Sequence, residues 1–184
     1  MDGHAPAAID KTIVFTGFMG AGKTTIGRAV ASRLGRTFID VDEQIEQDFG
    51  MSIPDIFETY GESVFRTRER EMVLRHCGAT RSVLSLGGGA FLQDEIRRAC
   101  LRDGIVVYLD IDWDYWVNER YRLVVDSRPL LQKLKLEEVH ELFLRRRAAY
   151  QAYHTRLKLD YQTVDCAVDL LLELICEQMC TQAS

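Results

Sequence analysis

Two aspartates one residue apart, Asp40 and Asp42 in the stretch FIDVDEQIE at 38–46, have the residue type and spacing of a reactive pair. Alternate positions on an extended strand end place both side chains on one side. A carboxylate there can hold a metal-bound water or accept the proton of an attacking hydroxyl. An acidic helix start favoured by the helix dipole accounts for Asp42, Glu43 and Glu46, but not for two aspartates in alternation.

Upstream, TIVFTGFMGAGKTT at 12–25 places G-x-x-x-x-G-K-S/T directly after a strand-like run and at the start of a helical one, which is the context this phosphate-binding motif requires. Its glycines let successive amides turn inward, and the helix N-terminus adds partial positive charge, so residues Gly20, Ala21, Gly22, Lys23, Thr24 and Thr25 form a candidate nucleotide cradle. Lys23 has the reach for the β and γ phosphates, and the Thr24 hydroxyl is placed to hold Mg²⁺. Three classes of nucleotide-binding protein share such a loop: switch GTPases, ATPase motors and small kinases. The chain lacks an Asn-Lys-x-Asp base-reading signature and, at 184 residues, is short for a motor. A small kinase should also display an acceptor pocket.

Three stretches supply one. Asp40 and Asp42 fall at the carboxyl end of the second predicted strand, where open α/β sheets bind ligands. In GESVFRTRERE at 61–71, Arg66 follows Val64 and Phe65 and so can face a pocket from a core-anchored helix, whereas Arg68 and Arg70 are expected to be solvated or paired with glutamates. In SLGGGAF at 85–91, Gly87, Gly88 and Gly89 leave no side chains between a ligand and the backbone amides.

Together these stretches resemble one family. GFMGAGKTT, FIDVDEQIE, SIPDIFETYGESVFRTRERE, LSLGGGAF, DSRPLL and RRRAAY occur in the order and at nearly the spacing of the shikimate kinases, over about residues 12–165. The resemblance implies ATP-dependent phosphorylation of the shikimate 3-hydroxyl, a step of chorismate and aromatic amino acid biosynthesis, with Mg²⁺ as cofactor. It further implies that Asp42 holds the acceptor hydroxyls and is the candidate base, and that Asp40 meets Mg²⁺ through water. Arg66 and Arg146 would clamp the substrate carboxylate, Gly87, Gly88 and Gly89 would line the ring, and Arg128 would reach the phosphates from a closing lid. Lys23, Asp42 and Arg128 are the implied catalytic set. The chain departs from the family pattern twice. Arg120 and Arg122 bracket the place of a further lid arginine, and the R-x-P-L-Y pattern reads Arg146-x-Ala-Ala-Tyr150.

The elements that must position these residues follow from hydropathy. Apolar, β-branched runs at 12–16, 37–40, 82–86, 105–110 and 157–160 alternate with helical spacing, such as Ile26, Val30 and Leu34. This pattern predicts a three-layer α/β/α architecture around a five-stranded parallel sheet, its strands covered on both faces. One domain is expected over 1–184, with a loose tail at 1–10, a charged, proline-broken lid at about 120–136 and a last helix beginning near Asp165. The net charge of −5 excludes the basic footprint of a nucleic-acid or anionic-membrane partner. No run approaches a membrane span, and the five cysteines read as reduced core thiols, so a cytoplasmic monomer acting on small molecules is expected. Two other readings remain: a kinase of another small polyol acid such as gluconate, and a non-catalytic relative that senses a shikimate-like effector.

Overall fold

A computed structural model describes residues 10–126, 129–159 and 161–182. The apolar runs form β1 (Ile13–Gly17), β2 (Thr37–Asp40), β3 (Ser82–Ser85), β4 (Ile105–Ile111) and β5 (Thr155–Leu159). All pairings are parallel, and the sheet order is β2-β3-β1-β4-β5. β1, β3 and β4 are buried along their whole length, as continuous apolar strands in a sheet covered on both faces should be. β5 departs from that expectation: Arg156 and Lys158 are exposed and alternate with buried Thr155, Leu157 and Leu159. It has a neighbour on one side only, and its outer face meets solvent.

Eight α-helices of five or more residues lie among the described residues: α1 (Lys23–Leu34), α2 (Val41–Phe49), α3 (Ile53–Tyr60), α4 (Glu62–Cys77), α5 (Asp94–Asp103), α6 (Pro129–Lys133), α7 (Leu136–Ala149) and α8 (Val164–Gln182). α8 packs on α1 through Ala167, Val168, Leu171 and Ile175, a set at helical spacing, while α4 and α5 pack together on another face of the sheet. Of the described cysteines, Cys77 and Cys100 are core thiols between α4 and α5, but Cys166 is exposed near the start of α8.

Because β1 lies between β3 and β4, the carboxyl ends of β1, β2 and β3 open on one side into a single crevice. The register pairs Asp40 with Ser85, and the Leu86 amide donates to the Phe15 carbonyl at 3.1 Å. Three chain segments therefore leave the sheet at one level: the phosphate loop, the aspartate stretch and the triple glycine.

The expected flap is helical at its base. A π-helical turn, Trp116–Arg120, joins short helical pieces at Trp113–Tyr115 and Tyr121–Val124. Trp116 is fully buried, and its indole Nε1 donates to the Met19 carbonyl at 2.7 Å. Phe18 of the phosphate loop meets Trp116 and Phe143 of α7 edge-on, at 5.1 and 5.0 Å between ring centroids. The loop, the flap base and α7 thus share one aromatic joint.

The β2–α2 junction differs from the extended geometry expected of the two aspartates. β2 stops at Asp40, which becomes the N-cap of α2, and Asp42 sits in the first helical turn. Asp40 Oδ1 accepts from the Asp42 and Glu43 amides at 3.1 and 3.4 Å. The acidic helix start and the reactive pair are the same structure, because the cap turns the chain just where the sheet ends. Asp40→Ala should lower the unfolding free energy by about 1 kcal/mol with neither nucleotide nor metal present. A urea titration with unchanged slope checks this, and an unchanged midpoint would show that α2 does not need this cap.

Candidate active site

The phosphate loop is built by backbone conformation. Gly20 and Gly22 have φ of 77° and 91°, in the left-handed region open to glycine. Gly22 caps α1 without any side-chain hydrogen bond, so the first amides of the helix are left facing the crevice. Lys23 is 8% exposed, and its Nζ donates to the Gly17 and Phe18 carbonyls at 2.9 and 3.0 Å, which folds the ammonium back over the loop. The Thr24 hydroxyl donates to Asp40 Oδ2 at 2.7 Å. One carboxylate therefore starts α2 with one oxygen and orients Thr24 with the other. Hard oxygen donors beside a phosphate cradle are the set that Mg²⁺ takes when it shares ligands with a nucleotide. A cavity of about 260 Å³ lies over this floor, lined in part by Lys23, Thr24, Thr25, Asp40 and Asp42.

A second cavity, of about 750 Å³, adjoins it and is lined in part by Asp42, Arg66, Glu69, Arg146 and the three glycines. Asp42, Met19, Gly87 and Gly88 line both cavities and form the passage between them. Each of the three glycines bears a charged side chain close against its backbone. A Cβ on Gly87 would lie 2.5 Å from Asp42 Oδ1 and 2.9 Å from Glu69 Oε1, so one of these carboxylates would have to move. On Gly88 it would meet Arg146 Nη1 at 3.1 Å, and on Gly89 both terminal nitrogens of Arg66 at 3.0 Å, so a side chain there would push a guanidinium out of its place. Four charged groups close in on bare backbone.

The helices explain which charges arrive. On α4, Phe65 is buried in the core and turns Arg66 toward the glycines, while Arg68 pairs with Asp48 and Glu71, and Arg70 with Glu95. Of the three consecutive arginines on α7, Arg145 is exposed and Arg147 reaches the buried Asp110 at 3.4 Å. Arg146 is buried, with its guanidinium carbon 5.8 Å from the centre of the Phe18 ring, and lines the larger cavity.

Two placements go beyond the residues picked from the sequence, and one separates two residues that the sequence left side by side. Glu69 is fully buried, and its Oε2 accepts from Arg66 Nη1 and Gln93 Nε2, both at 2.8 Å. Its other oxygen, Oε1, has no hydrogen-bond partner among the described residues and faces the Gly87 passage beside Asp42. Its spacing from Arg66, three residues along a helix, was the available sequence signal. Arg120, not Arg122, lines the smaller cavity; it donates to the Tyr115 hydroxyl at 3.2 Å, and Arg122 is exposed. Lys133 and Leu130 of α6 line the mouth of the larger cavity. Arg128 lies outside the described residues.

A phosphate cradle joined through one carboxylate to a pocket bearing two guanidiniums, on this sheet order, defines a P-loop small-molecule kinase. The chain belongs to the shikimate kinase family, whose model matches residues 19–178. It is 53% identical over 167 residues to a shikimate kinase of Geobacillus thermodenitrificans, covering 90% of this chain and 89% of that protein. The solved shikimate kinase of Acinetobacter baumannii in complex with shikimate superimposes with a TM-score of 0.83 at 35% identity, covering 92% of this chain and 94% of that one. A gluconokinase of Sinorhizobium meliloti shares the fold alone, at a TM-score of 0.55 and 17% identity, over 95% of this chain and 98% of that one.

Burial pushes the Glu69 carboxyl above the ordinary glutamate value; the Arg66 guanidinium opposes that shift, and the neighbouring Asp42 charge adds to it. A carboxyl with a raised folded-state pKa holds more protons folded than unfolded between the two values, so its contribution to stability falls as pH rises through that window. The unfolding free energy of Glu69→Gln minus that of the parent should therefore become more positive from acid toward neutral pH. Urea titrations across that range check the sign, and a difference independent of pH would show that Glu69 is not perturbed.

Proposed function

We propose that this chain transfers the γ-phosphoryl group of ATP to the 3-hydroxyl of shikimate, giving shikimate 3-phosphate and ADP. The observation that carries this reading is the passage lined by Asp42, which opens on the phosphate floor on one side and on two guanidiniums on the other. An acceptor whose carboxylate rests between Arg66 and Arg146 presents its ring to the three glycines and a hydroxyl to Asp42. A rigid, planar carboxylate suits guanidinium donors, which form charge-assisted hydrogen bonds in a fixed geometry.

The chemistry assigned to this chain's own groups is positional and electrostatic. The first amides of α1 and the Lys23 ammonium hold the β and γ phosphates. Lys23 exchanges its loop carbonyls for phosphate oxygens, keeping a buried charge partnered throughout. Asp42 accepts the proton of the acceptor hydroxyl while that oxygen bonds to the γ-phosphorus and the bond to the β,γ-bridging oxygen breaks in line, releasing ADP. Thr24 and Asp40 would hold Mg²⁺, Asp40 through water; when bound, the ion neutralises phosphate charge. Arg120 lines the phosphate cavity, and Arg128 is assigned to the same phosphates, so that positive charge faces the leaving group. The reading takes the enzyme as a monomer in the cytoplasm, acting on small molecules.

ATP consumption measured against shikimate, quinate and gluconate tests the reading directly: turnover on shikimate should dominate, and preference for either other acid would reassign the acceptor. Asp42→Asn should abolish transfer while leaving ATP affinity within a factor of about two, because it removes the base and keeps the shape; near-normal turnover would take that role from Asp42. Arg66→Ala should weaken acceptor binding by about 1.5–3 kcal/mol, the range for a charge-assisted hydrogen bond. Titration calorimetry with shikimate reads this, and unchanged affinity would count against the clamp.

A further inference from the structure

Tyr150 follows Arg146 by one helical turn and closes α7, its amide bonded to the Arg146 carbonyl at 3.0 Å. The side chain is 1% exposed, and its hydroxyl donates to the Gly88 carbonyl at 2.6 Å. The carbonyls on either side in the triple glycine are also occupied: Gly87 accepts from the Ala90 amide at 3.1 Å, and Gly89 from the Leu92 amide at 3.2 Å. The Gly88 carbonyl, by contrast, is held by a side chain. A trans peptide points its N–H opposite to its C=O. Fixing the Gly88 carbonyl toward α7 therefore turns the Gly89 amide to the other side, and the backbone of Gly88 and Gly89 lies against Arg146 and Arg66 respectively.

We propose that the Tyr150 hydroxyl is a positioning group for acceptor binding: it locks the Gly88–Gly89 peptide so that the Gly89 amide is presented, between the two guanidiniums, to the acceptor's carboxylate. The lock is needed because a peptide between two glycines reverses with little steric resistance. The ring is fixed behind it. Tyr150 packs on Tyr108 at 5.6 Å, Tyr108 donates to the buried Asp110 at 2.8 Å, and Asp110 pairs with Arg147 and Arg156. Burial pushes the Tyr150 hydroxyl up to about 12, so it remains a donor across the working range of pH. The same helical turn thus sets both a clamp arginine and the backbone amide that works beside it.

The inference rests on the acceptor reading above, and its test separates the two. In Tyr150→Phe, the KM for shikimate should rise about tenfold, as expected for losing one hydrogen bond and leaving a buried carbonyl unpaired. The KM for ATP and kcat should stay within about a factor of two. With an analogue of shikimate that lacks the carboxyl group as acceptor, the same substitution should add no further loss, because the group the amide serves is gone. Tyr108→Phe, which removes a hydroxyl from the same stack without touching the glycine loop, should leave the acceptor KM near the parent's. An equal loss with shikimate and the decarboxy analogue, a matching rise in the KM for ATP, or an equal effect of Tyr108→Phe would each overturn the positioning role. A parent enzyme inactive on shikimate but active on quinate or gluconate would overturn the acceptor reading alone. Comparing that substrate with its own decarboxy analogue then decides for Tyr150.

Discussion

The approach of four charged side chains to a stretch of bare backbone is the constraint around which the crevice is organised. Asp42, Glu69, Arg66 and Arg146 come from three different helices and converge on Gly87–Gly89, where a Cβ would press on each of them. Such a cluster is stable only if opposite charges alternate and most lone pairs are satisfied. Here Arg66 lies between Glu62 and Glu69, Gln93 supplies a second donor to Glu69, and the glycine carbonyls are taken by local amides and by Tyr150. Among the described residues three buried side-chain atoms make no hydrogen bond, Glu69 Oε1, Arg120 Nε and Arg146 Nε, and all three belong to residues that line the two cavities. Unsatisfied polarity is thus confined to the place where a ligand can satisfy it.

The sheet contributes the common level at which these segments begin. Parallel strands in this order bring the ends of β1, β2 and β3 together, so the phosphate loop, the aspartates and the glycines meet without any long connection. The aromatic joint of Phe18, Trp116 and Phe143 then seats α7 against the loop and fixes the depth of Arg146. The two cavities are in this sense one packing problem, solved by aromatic side chains that line neither of them.

Much of this was legible in the sequence because it depends on local pattern. The phosphate loop needs particular residues at fixed offsets, and the central strands need continuous apolar runs; both can be read without knowing the fold. The exposed face of β5 was not legible, because edge position is a property of the sheet rather than of the strand. Nor was the capping role of Asp40: alternation and capping give the same spacing, and only the point where β2 ends separates them. Glu69 was hidden in a run of charge that reads as solvated helix, since its burial is set by Gln93 and the glycine loop, both distant in sequence. Arg146 was singled out from its two neighbours by its place four before Tyr150 in the family pattern, whereas the reason Arg147 turns away, its pairing with Asp110, shows only in the fold.

The indole bond from Trp116 to the Met19 carbonyl has a mechanical consequence. It pins the root of the segment that rises over the nucleotide cavity directly to the cavity's own floor, one residue before the turn of glycines that cradles phosphate. Whatever path the rest of that segment follows, its anchor and the phosphate cradle travel as one piece. A π-helical turn begins at this anchor, and beyond it Arg120, Leu123 and Val124 line the cavity. A substitution that loosens the tryptophan would therefore disturb those three residues and the cavity floor together.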